Sequence, residues 1–356
     1  MNLPSHGANP AHLYSSLGIK MPSQILDFSV NTNVFSKDLD VSKDNILKWV
    51  QEYPDPEASL VIEALTRKHF LDSTQLLVGN GASQAIYLLA QLFQGQTVGI
   101  IQPTFSEYQK ACQNFDCEIV TIFSEEENNW QPNFDDFKQL IREVDVVFIC
   151  HPNNPTGTTY ERIEEMIQLA ALSEVTIVVD EAFYDFYEND RNSLITKLNH
   201  YQNLIILRSL TKMYNLAGIR LGYIAAQPST IKKLRKRQPT WSVNSLAISL
   251  GAHCVNTLDE MVVQTRKKVS SERIRIRKAL IDLNYYVSPS VTNFYLIRDL
   301  SANRNRELLI YLLENGIVAR HTENFPGLGG NYIRFAVKDK SENDRLLTLL
   351  KEWKKL

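Results

Sequence analysis

The chain has 356 residues, 44% hydrophobic and 22% charged, with a net charge of -2, the balance of a soluble globular protein too long for one hydrophobic core. Charge so close to neutral gives no long-range pull toward nucleic acid or an anionic membrane. No apolar run approaches the ~18 residues of a membrane span, and Met1 to Lys20 lacks the apolar core of a secretion signal, so residence in the cytoplasm is expected.

The first segments, 6–19 (HGANPAHLYSSLGI) and 26–33 (LDFSVNTN), form no domain of their own and read as an arm laid on another part of the chain. A fraying terminus and a cleft wall using Asn31 and Asn33 beside Phe28 are both open readings of this arm. EYPDPE (52–57) is a turn, because Pro54 and Pro56 push the residues before them toward extended backbone. Residues 57–70 read as a helix. LLVGNGASQAIYLLAQLF (76–93) is a strand, a Gly-rich turn and a helix, whose N-terminal N–H groups form an anion site. Gly79 and Gly81 begin like G-x-G-x-x-G, but Gln84 stands where the third glycine belongs. A nicotinamide fold is therefore the weaker reading, and a phosphate cradle at Gly81, Ala82 and Ser83 the stronger.

Strands at 97–101, 117–123, 145–150, 176–180 and 203–208 then alternate with helices from Glu107, near 134–141 and near 162–172. Their Val/Ile runs mark strands buried on both faces of a mostly parallel α/β sheet covered by helices, in which ligands bind at strand ends. Beyond Ala226 a helical stretch (about 243–284) leads to a smaller α/β unit with strands at 292–298, 316–320 and 331–337. The expected division is an N-terminal arm, 1–35, joining the small domain; a large domain, 36–265; and a small C-terminal domain, 266–356. Cys112, Cys117, Cys150 and Cys254 make no C-x-x-C and the seven histidines no H-E-x-x-H, so neither a metal nor a disulfide framework is expected. The basic clusters at 232–237 and 266–278 read as solvated helix faces.

The strand ends carry the chemistry. In RSLTKMYNLAGIRLGY (208–223), Ser209, Thr211, Lys212 and Arg220 gather where an apolar strand stops. A lysine amine condenses with an aldehyde once burial or a neighbouring cation keeps it partly neutral, and two hydroxyls with an arginine suit a phosphate. Pyridoxal phosphate has both groups. Asp180 ends the 176–180 strand. Such a carboxylate serves either as a structural acceptor or as the partner of a protonated pyridine nitrogen, turning the ring into an electron sink. In HPNNPTG (151–157) Asn154 can donate to a phenolate oxygen, and Tyr108 either stacks on an aromatic ring or packs in the core. Arg320 and Arg334 sit in apolar strands of the small unit, where two cations imply a substrate with two anionic groups. An anion-binding α/β protein without a covalent cofactor is the non-enzyme alternative.

NGASQ, PTFSEY, HPNNPTG, DEAF, SLTK and the following arginine stand in the order found in fold-type I pyridoxal-phosphate enzymes, and the chain resembles the class I/II aminotransferase group over nearly its whole length. The resemblance implies that Lys212 carries the cofactor, that Asp180 partners the pyridine nitrogen, that Asn154 meets the ring hydroxyl and that Tyr108 stacks on the ring. Ala82, Ser83, Ser209, Thr211 and Arg220 would form the phosphate cup. Tyr53 would reach the phosphate bound by a neighbouring subunit, which implies a homodimer, and Arg334 would take the substrate carboxylate. Within the group, histidinol-phosphate aminotransferases usually carry Tyr where DEAF has Phe183. HGAN, LDFSVNTN, TWSVNSLA (240–247) and ARHTENFPGL (319–328) look more like the L-threonine-O-3-phosphate decarboxylases of cobalamin biosynthesis. That likeness implies roles for His6, Asn31 and Arg320 in holding a substrate phosphate. HGAN stands where HGGN is commoner and NTNVFS where Asn-Ile-Asn-Pro-Leu-Gly is usual, which leaves serine phosphate open as the substrate.

Overall fold

The structure is a computed structural model and describes residues 3–36, 39, 41–188, 193–301 and 304–356. The arm contributes a short strand, β1 (Leu26–Asp27). A seven-stranded sheet follows, built from β2 (Leu76–Asn80), β3 (Thr97–Gln102), β4 (Glu118–Phe123), β5 (Val146–Cys150), β6 (Thr176–Asp180), β7 (Leu204–Ser209) and β8 (Leu221–Ala225) in the order β2-β8-β7-β6-β5-β3-β4. The run from β4 to β7 is parallel, while β8 is antiparallel to both its neighbours. The reversal follows from chain length: residues 210–220 are too few for the helical crossover that a parallel partner of β7 requires.

The inner strands β5, β6 and β7 are buried almost throughout, as expected for Val/Ile runs covered on both faces. β4 departs from that expectation. It occupies the sheet edge, its residues alternate between exposed and half-buried, and Phe123 is exposed. Among the described strands, β3 alone pairs with it.

The C-terminal part forms a four-stranded antiparallel sheet from β9 (Tyr285–Val287), β10 (Phe294–Asp299), β12 (Arg320–His321) and β13 (Ile333–Ala336), ordered β12-β13-β10-β9. The stretch 316–320, expected as one strand, divides at Ala319 because its halves have different partners. β11 (Ile317–Val318) pairs in parallel with β1 of the arm, and β12 pairs with β13. The arm is thereby fixed rather than frayed: Tyr14 is buried and its hydroxyl donates to the Leu313 carbonyl at 2.7 Å. Phe28 N–H donates to Val318 O at 2.8 Å, and Ala336 N–H to Phe28 O at 2.9 Å. A continuous helix, Asp259–Asp282, runs from the large sheet to the small one, and residues 265 and 266 lie within it. Among the described residues no helix is long and apolar enough to cross a membrane, and no cluster of His, Cys, Asp and Glu has the makings of a metal site.

Candidate active site

A cavity of about 410 Å³ opens at the C-terminal ends of β5, β6 and β7, where parallel strands leave their last residues pointing away from the sheet. Asp180, Asn154, Ser209, Thr211, Lys212, Arg220, Ala82, Ser83 and Tyr108 line it from the large sheet. His6, Asn31, Arg320 and Arg334 line it from the arm and the small sheet. Sequence positions spanning most of the chain therefore meet in one place.

The Gly-rich turn and Arg220 make one end of the cavity. The helix Gly81–Leu92 begins there, and no side chain caps its first turn, so its N-terminal amides and the positive end of its dipole are free to meet an anion. Gly81 has φ +76°, and a Cβ at that position would lie 2.7 Å from Arg220 Nη2. Only glycine lets the guanidinium come this close. Ser209 and Thr211 hydroxyls face the same end, 2.8 Å from each other.

Lys212 is the one amine among the described cavity-lining residues. Burial first, then Arg334 and Arg220, push its pKa down to about 8, with Asp180 opposing. A useful fraction of neutral amine therefore exists at neutral pH. Its Nζ donates to Asn31 Oδ1 at 3.3 Å, and the Lys212 carbonyl accepts from Asn33 N–H at 2.9 Å, so the arm lies directly over the lysine.

At the other end Asp180 is buried, and its carboxyl is raised above the ordinary range by desolvation. Oδ1 accepts from the Ala182 amide at 2.8 Å and Oδ2 from the Tyr108 hydroxyl at 2.7 Å. The Tyr108 ring stacks on Phe148 with centroids 5.5 Å apart. Both readings of Tyr108 meet here, since it is fully buried yet lines the cavity. Behind this wall Arg208 of β7 is buried against Glu181, the residue that follows β6, at 2.9 Å. Neighbouring residues thus lock the two strands that present Asp180 and Ser209.

Two arginines face the lysine. In the antiparallel register Arg320 lies opposite Arg334. Arg334 donates to Asn154 Oδ1 at 2.5 Å and to Ser29 O at 2.9 Å, and its buried Nε has no hydrogen-bond partner among the described residues. Burial and Arg320 push its pKa down to about 9, and burial takes Arg320 to about 10. Both therefore stay charged at neutral pH. Arg320 donates to Pro4 O at 3.1 Å, Ser5 O at 2.6 Å and Asn324 Oδ1 at 2.5 Å. Among the described residues no carboxylate hydrogen-bonds to either guanidinium.

The sequence reading did not single out Ala8, Phe105, Cys150 or Phe325, all of which line the cavity. Ala8 has φ +64°, a left-handed conformation that costs a residue with a Cβ roughly 1–2 kcal/mol. Nothing in a single sequence marks such strain. Tyr53 lies outside the cavity. It is 83% exposed beside Trp241, with ring centroids 4.9 Å apart.

These residues fit pyridoxal phosphate. An uncapped helix start and Arg220 suit the phosphate, a partly neutral lysine suits the aldehyde, and a buried carboxylate suits the pyridine nitrogen.

Comparison with known proteins agrees. Residues 23–350 match the family Aminotransferase class I and II. The threonine-phosphate decarboxylase of Salmonella typhimurium is 32% identical over 98% of this chain and 96% of its own length. A histidinol-phosphate aminotransferase of Thermoanaerobacter sp. is 33% identical over 85% of this chain and 84% of its own. Among solved structures, L-threonine-O-3-phosphate decarboxylase from Porphyromonas gingivalis superposes with a TM-score of 0.79 at 27% identity, over 93% of this chain and all of the other. With the lysine, the strand-end carboxylate and the phosphate-binding turn in one cavity, the chain belongs to the class I and II aminotransferase family and is a pyridoxal-phosphate-dependent enzyme.

Proposed function

We propose that the enzyme decarboxylates an amino-acid phosphate, L-threonine O-3-phosphate or its close relative L-serine O-phosphate, to an amino-alcohol phosphate. The carrying observation is the pair of buried arginines, Arg320 and Arg334, set opposite each other on neighbouring strands with no carboxylate among the described residues hydrogen-bonded to either. Buried charges left this way are costly until an anion arrives, and a substrate with a phosphate and a carboxylate supplies two. The 32% identity to the threonine-phosphate decarboxylase of Salmonella typhimurium, over 98% of the chain, supports the same reading.

On this reading Ala82, Ser83, Ser209, Thr211 and Arg220 hold the cofactor phosphate, Lys212 holds its aldehyde carbon, and Asp180 faces its ring nitrogen. When bound, the cofactor supplies an electron sink for the pair left by the broken bond. Asn154, whose Oδ1 is held by Arg334, keeps its amide N–H groups for the ring oxygen. Arg334 orients the substrate carboxylate, while Arg320, His6 and Asn31 receive the substrate phosphate. Fixing both anions would hold the α carbon in one orientation, and so set which of its bonds breaks. Carbon dioxide would leave from the ionised carboxylate, and the Lys212 ammonium is placed to give the α carbon the one proton that takes its place. Phe183, 4.8 Å from Phe294, adds apolar wall and excludes water.

The test incubates the holoenzyme with threonine phosphate, serine phosphate, or histidinol phosphate plus 2-oxoglutarate, and measures carbon dioxide and glutamate. Carbon dioxide from either amino-acid phosphate is expected. Glutamate with no carbon dioxide would replace this reading by histidinol-phosphate transamination, which the 33% identity to an aminotransferase also accommodates.

The two sheets support a large domain (36–265) and a small one (266–356), with the arm (1–35) joining the small domain through β1. The exposed Tyr53–Trp241 pair, with exposed Leu47, Val50 and Leu60 nearby in sequence, supports a homodimer in which Tyr53 reaches the partner's cavity. Sedimentation should give twice the chain mass, and Tyr53→Ala should weaken cofactor retention. A monomer with undiminished cofactor affinity would exclude the shared site. A cytoplasmic location completes the proposal.

A further inference from the structure

Glu126 lies outside the cavity, in the turn Glu126–Asn128 that follows edge strand β4 of the large sheet. Its carboxylate is nonetheless the meeting point of two residues of the small sheet. Oε1 accepts from Arg298 Nη2 at 2.5 Å, and Oε2 accepts from Arg298 Nε at 3.2 Å and from the Tyr332 hydroxyl at 2.6 Å. Arg298 belongs to β10, and Tyr332 immediately precedes β13, the strand that carries Arg334. A bidentate pair of this kind fixes direction as well as distance, and the Glu126 side chain is 17% exposed, so water screens it weakly.

An aromatic cluster backs the carboxylate. Trp130, from the same large-sheet connection, is 2% exposed and donates from Nε1 to the Tyr286 hydroxyl of β9 at 2.7 Å. Its ring meets that of Tyr332 edge-on at 5.4 Å. Phe325 and Leu328 belong to the same apolar cluster. Phe325 lines the cavity, and the Arg320 guanidinium lies over its ring at 5.3 Å. At Gly327 an added Cβ would come within 3.0 Å of Phe123 on β4. From Glu126 contacts therefore run through Tyr332, by one route to the strand of Arg334 and by another through the apolar cluster of Trp130 and Phe325 to Arg320.

We propose that Glu126 is a positioning residue for substrate binding: by clasping Arg298 and Tyr332 it sets the distance from the Arg320–Arg334 pair to Lys212, and so tunes the site to a substrate whose two anions have a fixed separation. This rests on the reading in which those arginines hold the substrate's phosphate and carboxylate. A ligand with one anion can follow a displaced arginine, whereas a ligand with two must match both positions and the lysine together.

The holoenzyme and its Glu126→Ala, Glu126→Gln and Tyr332→Phe variants are compared. For Glu126→Ala the apparent KM for threonine phosphate or serine phosphate is expected to rise about 10-fold or more, with kcat changed by less than about 3-fold, because uniform binding is lost and not chemistry. The dissociation constant for phosphate-free threonine, read from the visible band of the cofactor, should stay put, as should that band. Glu126→Gln, which retains an acceptor for Tyr332, should recover part of the loss. Equal weakening of both ligands, or an unchanged KM for the phosphorylated one, overturns the proposal. If Glu126→Ala does not fold, Tyr332→Phe decides, since it keeps the ring and removes one donor; an unchanged KM there counts against the clasp. A wild-type enzyme that binds no amino-acid phosphate removes the substrate reading, and the proposal with it, before any variant is made.

Discussion

Replacing Lys212 by alanine is expected to give a colourless protein that borohydride cannot couple to its cofactor, with turnover lower by about 10⁴-fold or more. Lys212 is the one amine among the described residues that line the cavity, and Arg220 and Arg334, which depress its pKa, cannot replace it as a nucleophile. Its surroundings are a second reason. The backbone around Lys212 is held by the Asn33 amide, so the shortened side chain cannot be compensated by a shift of the loop. Wild-type protein reduced with borohydride should carry the added mass on the peptide containing Lys212. A reducible chromophore surviving in Lys212→Ala would remove the assignment.

Arg334→Met should lower kcat/KM for the amino-acid phosphate on the order of 10²- to 10³-fold while the visible cofactor band persists. Methionine approximates the buried stem of arginine but brings no charge and no donors. Arg334 hydrogen-bonds to Asn154 on the cofactor side of the cavity, and it does so at Oδ1; the amide nitrogen proposed to face the ring is untouched. The loss should therefore fall on substrate and spare cofactor. Titrating the band with substrate and measuring steady-state rates separates the two. Loss of the band together with activity would instead give Arg334 a part in holding the cofactor.

Much of the large sheet was legible in the sequence because β5, β6 and β7 are short apolar runs that end in polar residues. In a parallel sheet those ends converge by necessity, so Asn154, Asp180 and Lys212 could be placed in one cavity before any coordinates. The edge position of β4 was not legible, since Ile119, Val120 and Ile122 look the same whether a second neighbour is present or not. The split of 316–320 into β11 and β12 was hidden for a related reason: it depends on β1, a partner far away in the chain. The hydrogen bond from Tyr108 to Asp180 depends on a side-chain orientation that no spacing rule encodes. Glu126 was not legible at all, because nothing local to Glu125, Glu126 and Glu127 points to Arg298 and Tyr332.

The pairing of β1 with β11, and the bond from Tyr14 to a carbonyl 299 residues away, fix an order of events during synthesis. The seven-stranded sheet uses only residues 76–225, so it has its full complement of strands while the ribosome is still making the last third of the chain. Lys212 and Asp180 then face an open hollow. Until residues 313–336 emerge, β1 has no strand to pair with, and Tyr14 and Phe28 wait without the backbone partners that later fix them. Long-range closures of this kind come late in folding. A nascent chain stalled before β11 is thus expected to have the cofactor-binding face without the part that grips substrate, and to expose an apolar arm to chaperones and to other unfinished chains.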